Sequence, residues 1–143
     1  MRVVLIFIFV VLGLSFSAQA TTVKEMRLMC ADYEKNKFNV VTKPHAYCAG
    51  YFQAQIQTAE ALCQTLKILH QKKPEHRAMI MGTSSLFATS ATAKDYRAVI
   101  SAFVQWADGK VQYDNKNPSI FMNEYLPKTW PCDPSVPLEK SAE

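Results

Sequence analysis

Cys30, Cys48, Cys63 and Cys132 constrain this 143-residue chain more than any other residues. An even number of cysteines in a small exported protein reads as a disulfide framework. The competing reading is a metal site. It fails on spacing: there is no C-x-x-C pair, and His45, His70 and His76 stand at no ligand spacing from the cysteines. Two disulfides are expected, with no metal and no cofactor.

The export reading rests on residues 1–20. Arg2 supplies a short positive start, and Val3 to Leu14 is apolar except for Gly13. Ala18-Gln19-Ala20 then offers the small-x-small pattern of signal peptidase, with Thr21 as the new N-terminus. A membrane anchor is the alternative, but the apolar run is shorter than the ~20 residues of a spanning helix and ends in Ser15, Ser17 and Gln19. The expected product is periplasmic or secreted, with no membrane partner once the signal is gone. It has one domain over 21–133 and a flexible tail over 134–143. Small domains bury a limited fraction of their surface, so covalent staples matter here.

The mature part reads as all-α, a small disulfide-stapled bundle of about four helices. Val23, Met26, Cys30 and Tyr33 recur at helical spacing, predicting a helix from Thr22 to Asn36. Asn36 to Lys43 is a break, with Lys43 disfavoured for helix by Pro44. From His45 to Gln71, Cys48, Phe52, Ile56, Ala59, Cys63, Leu66 and Leu69 form one stripe. Gly50 in that helix suggests close packing. Met79 to Phe87 fits either a buried short segment or a loop. Thr92-x-x-Asp95 resembles a capping arrangement before a helix carrying Tyr96, Val99, Ile100, Phe103 and Trp106. Asn117-Pro118 opens a last short helix, and Pro127 with Trp130-Pro131-Cys132 ends it.

Helix geometry limits the disulfide pairing. Cys48 and Cys63 on one helix would lie roughly 22 Å apart, whereas a disulfide needs Cα atoms within about 7 Å. Of the two remaining pairings, Cys30–Cys48 with Cys63–Cys132 is preferred. The first two helices are joined by a short turn, which puts Cys30 and Cys48 at similar height when they pack antiparallel.

The formal charge is +4 and scattered. The densest cluster, Lys67, Lys72, Lys73, His76 and Arg77, reads as a solvated helix end, where cations complement the helix dipole. Aromatic residues are not interleaved with it, so nucleic acid is not an expected partner. Tyr51, Phe52, Phe103, Trp106, Phe121, Tyr125 and Trp130 follow the apolar stripes and are expected in the core. The three histidines show no obvious partner, and no G-x-S-x-G, H-E-x-x-H or phosphate loop occurs. No catalytic residue is assigned, and a binding role is expected in place of an enzyme.

Tyr47-Cys48-Ala49-Gly50-Tyr51 opening a helix, Cys63 near its end, and a closing Trp130-Pro131-Cys132 resemble the Rap/Tai family of periplasmic immunity proteins of type VI secretion. The similarity covers most of Cys30 to Cys132. The sequence departs from the pattern at Ala54, in place of a second Gly, and at Thr58-Ala59, in place of Asp-Ala. A longer stretch from Gln64 to Asp95 is the third departure, and it is where partner specificity would reside. The resemblance implies a helical, often dimeric protein that binds a secreted peptidoglycan amidase and covers its active site. The alternative is a small periplasmic acid-stress chaperone of the HdeA kind.

Covering a cleft needs only a complementary surface, and loops on a rigid scaffold carry recognition. Two stretches are candidates for partner contact. Gly82 to Thr92 offers Leu86 and Phe87, and Gly109 to Asn117 offers Lys110, Tyr113 and Asp114. Substitutions at Leu86 or Tyr113 are expected to leave thermal stability nearly unchanged.

Overall fold

The structure is a computed structural model that describes residues 21–136. The expected signal and the residues beyond 136 lie outside the described residues. The described chain is all-α, with helices α1 Val23–Lys35, α2 Lys43–Lys72, α3 Arg77–Phe87, α4 Tyr96–Asp108, α5 Ser119–Glu124 and α6 Leu126–Thr129. Short 3₁₀ turns, Pro74–His76, Ala93–Asp95 and Val111–Tyr113, lie between them.

Local chemistry sets these boundaries. Thr22 caps α1 in a full capping box: its hydroxyl accepts from the Glu25 amide at 3.2 Å, and the Glu25 carboxylate accepts from the Thr22 amide at 2.9 Å. α1 ends in a Schellman motif, with the Phe38 amide donating to the Tyr33 carbonyl and the Lys37 amide to the Glu34 carbonyl. The accompanying apolar contact is Phe38 edge-on to Tyr33, centroids 5.4 Å apart. The left-handed position that glycine usually fills is held by Lys37, at φ 55°. Thr42 caps α2, and Lys43 is already helical. Pro44 therefore falls in the first turn, where its missing N–H costs nothing, and the expected break ends one residue early.

Two cores share α2. The larger joins Met26, Cys30 and Tyr33 of α1, Cys48, Phe52 and Ile56 of α2, Val99, Ile100 and Phe103 of α4, and Phe121 and Leu126. Phe52, Phe103 and Phe121 form its aromatic centre, with Phe103 4.9 Å from Phe52 and 5.3 Å from Phe121. Among the described residues the smaller core holds Cys63, Leu66, Ile80, Ala88 and Cys132, with Leu62 at its edge.

Cys30–Cys48 lies in the first core and Cys63–Cys132 in the second, with Cα separations of 5.4 and 5.8 Å. This is the preferred pairing. The second bridge clamps the chain's end to α2. Beside it, the Thr89 hydroxyl and Ser90 amide both donate to the Trp130 carbonyl, at 2.8 and 2.9 Å.

Three local expectations change. Met79 to Phe87 is helical, with Ile80 and Ser84 buried and Met79, Met81 and Leu86 exposed. Gly50 does not mark close packing, because a Cβ added there would meet nothing within 4 Å. Pro127 does not stop the helical run: it sits in the first turn of α6, where no amide partner is required of it. At the end of the described residues, Asp133 to Val136 forms a turn in which the Asp133 carboxylate accepts from the Ser135 amide at 2.8 Å.

Two substitutions exchange residues between the wrong backbone states. Lys37→Gly removes a left-handed side chain, and Gly50→Ala removes a flexible residue from a helix interior. Each should raise stability by about 0.5–1 kcal/mol in urea unfolding. A loss at either position would contradict the backbone assignment there. Replacing both Cys63 and Cys132 with Ser should cost about 2–5 kcal/mol, because the bridge closes a separation of 69 residues over a core of few side chains.

Candidate functional site

The sequence-derived contact residues fall on two separate parts of the molecule. Leu86 lies on α3, which packs against α2, α5 and α6. Lys110, Tyr113 and Asp114 lie around the Val111–Tyr113 turn, which packs against α4 at the larger core. The structure groups the last three and leaves Leu86 apart. Phe87 is the final residue of α3, and its side chain lies outside the described set.

Of the first expected loop only Ala88 to Thr92 is non-helical. Gly82 to Phe87 is helix, and beyond it Ala88, Thr89 and Ala91 are buried, with Thr89 and Ser90 bonded to the Trp130 carbonyl. Helical periodicity continues through the Ser/Thr-rich stretch because Thr83, Ser84 and Ser85 each return their hydroxyl to a carbonyl one turn back, at 2.8–3.0 Å. What remains exposed is a helix face: Met79, Gly82 and Leu86 follow i, i+3, i+7 spacing, with Met79 at 65% and Leu86 at 56% exposure.

The second stretch is also pinned. Asp114 and Lys116 accept at their carbonyls from the Lys24 and Val23 amides, at 3.1 and 2.8 Å, satisfying donors of the first turn of α1. The Tyr113 ring stacks on Trp106 with centroids 5.4 Å apart, and its hydroxyl donates to Glu124 at 3.2 Å. That contact with the Glu124 carboxylate pushes the Tyr113 hydroxyl above its ordinary range. Tyr113 is thus part of the core's edge, and Tyr113→Ala is not a neutral probe of binding as the sequence suggested. Lys110 is half-buried, and Val111 and Gln112 are the outward side chains of the turn.

Sequence reasoning missed His45. Its side chain is fully buried against Tyr33, and Nε2 lies 2.6 Å from the Asp32 carboxylate. Nδ1 faces the Asn39 carbonyl at 3.2 Å and the Val41 amide at 3.4 Å. Nε2 therefore binds the end of α1 and Nδ1 the α1–α2 connection, with no hydroxyl or thiol among their partners. The arrangement fastens the connector and does not activate a nucleophile. The signal was available: a Cys30–Cys48 bridge between antiparallel helices brings residue 32 towards residue 45.

Other chemistry is sparse. Among the described residues no group of His, Cys, Asp and Glu is arranged to hold a metal ion. A groove of 220 Å³ between α2 and α5 is lined by Gln55, Thr58, Ala59, Leu62, Met122 and Asn123. It contains no charged group and is smaller than usual ligand pockets of roughly 300–1,000 Å³. The Tyr51 hydroxyl is enclosed without a hydrogen-bond partner, and its burial pushes it up to about 12. Comparison with family models, curated proteins and solved structures gave no match for this chain.

His45→Ala should destabilise the protein by about 2–4 kcal/mol, from a core void and an orphaned Val41 amide. Asp32→Asn keeps an acceptor at a half-exposed position and should cost less. Urea midpoints of the two variants test that order, and equal loss in both would contradict the clasp.

Proposed function

We propose that this chain is an exported binding protein that recognises a folded protein partner through the outer face of α3. The observation that carries the reading is the exposure of Leu86 on a helix whose other face is anchored beside a disulfide. A fixed apolar side chain on a stapled scaffold loses little freedom on binding, which favours recognition of one surface over promiscuous capture. The fold is compatible with the implied immunity role: the helix opened by Tyr47-Cys48-Ala49-Gly50-Tyr51 is present, and Cys132 of the closing motif is bridged to Cys63.

The resemblance gives the partner class, a peptidoglycan amidase, and the mode, a cleft covered by a complementary surface. The reading calls on no catalytic group of this chain. A homodimer belongs to the same proposal, as two copies presenting two α3 faces.

The test is periplasmic co-expression with an amidase encoded beside this gene. Wild type should restore growth, and Leu86→Asp should abolish rescue without lowering the thermal midpoint. Tyr113→Phe, which keeps the stack on Trp106 and loses the bond to Glu124, should rescue as wild type does. Rescue by Leu86→Asp would move the contact off α3. No rescue by wild type, with acid-induced suppression of client aggregation, would favour the chaperone.

A further inference from the structure

We propose that the closed end of the α2–α3 hairpin, residues 68–81, docks on the surface of an anionic phospholipid bilayer. This inference does not rest on the amidase reading.

Between Leu66 and Ile80 no residue is buried, and residues 71–79 are exposed without interruption. The tip therefore stands clear of both cores. Its cations are Lys72, Lys73 and Arg77, none of which enters a salt bridge among the described residues. Lys67 and His70 face Asp133 instead, where they help hold its carboxyl below the usual range behind the hydrogen bonds from Ser135. Glu75 is the single acid of the tip, and His76 lies 3.9 Å from it.

Helix ends alone do not account for this charge. Lys72 in the last turn of α2 complements the dipole, but Arg77 opens α3 at the end where a cation is disfavoured, and that first turn carries no acid. Nor do caps explain the apolar side chains. Ile68, Leu69, Met79 and Met81 are all exposed beside the cations.

The combination selects the partner. The tip sets three cations, none in a salt bridge among the described residues, against the one acid Glu75, so charge complementarity points to an anionic surface. Exposed aliphatic side chains among unpaired Lys and Arg suit an anionic headgroup layer, where the cations meet phosphates and the aliphatic groups enter the acyl boundary. No spanning segment is required, and no helix of the described residues is long and apolar enough to cross a membrane. A peripheral contact of this kind departs from the expectation of no membrane partner once the signal is removed.

The test is co-sedimentation of the exported, purified protein with vesicles of phosphatidylcholine containing phosphatidylglycerol, against phosphatidylcholine alone. Wild type should bind the anionic vesicles far more tightly than the neutral ones, with binding weakened by salt towards the neutral level. Lys72→Gln, Lys73→Gln and Arg77→Gln together should lower partitioning by about 100-fold, at roughly fivefold per cation. Ile68→Ser with Met81→Ser should remove the part of binding that survives high salt. All five positions are exposed, so far-ultraviolet spectra and thermal midpoints should match wild type. Equal binding to both vesicle types, no binding to either, or undiminished binding by the triple Gln variant would overturn the proposal. So would undiminished salt-resistant binding by the Ser variant, which would place the apolar contact away from the tip.

Discussion

A single helix of 30 residues serves two cores, and the rest of the fold is arranged around that fact. The N-terminal half of α2 buries Cys48, Phe52 and Ile56 against α1 and α4, whereas its C-terminal half has only Cys63 and Leu66 to offer α3. Aromatic area separates the two. The first core is built round three buried phenylalanines, each a large apolar contribution. The second has none among its described buried members, and two of those members are the cysteines themselves. Cys63–Cys132 thus supplies by covalent connection what packing does not, while Cys30–Cys48 reinforces a contact that packing already favours.

Much of this was legible from side-chain periodicity. The α1, α2 and α4 stripes place the larger core correctly because each runs for several turns with apolar residues at one spacing. The length of α2 excluded Cys48–Cys63, and the short connection to α1 favoured Cys30–Cys48 over the remaining alternative. Less legible was α3, because Gly82-Thr83-Ser84-Ser85 has the composition of a loop. Tertiary contact through Ile80 and Ser84, with hydroxyls bonded back to the helix, overrides that local preference. Gly50 misled for a different reason: a helical glycine can mark open space as readily as a close approach, and the neighbouring elements decide which.

The candidate contacts divide along the same line. Lys110, Tyr113 and Asp114 looked like an adaptable edge in sequence, yet their backbone and rings complete the start of α1 and the flank of Trp106. Leu86 has no comparable structural duty. The side chains left for recognition and surface docking gather on the hairpin over the weaker core. There an exposed apolar group costs the main fold little. His45, hidden among scattered polar residues in the sequence, joins the ends of α1 and α2 and keeps the strong half of the molecule closed.

Hydrogen exchange under rising urea, with both disulfides intact, tests the two-core account most directly. Amides of α1, the first half of α2 and α4 should merge on one high, strongly urea-dependent opening free energy, the global one. Amides of α3 and of α2 beyond Cys63 should exchange through a separate opening of lower free energy and smaller urea dependence. A single isotherm shared by all these amides would mean that α2 unites the molecule in one core, and the account would be wrong.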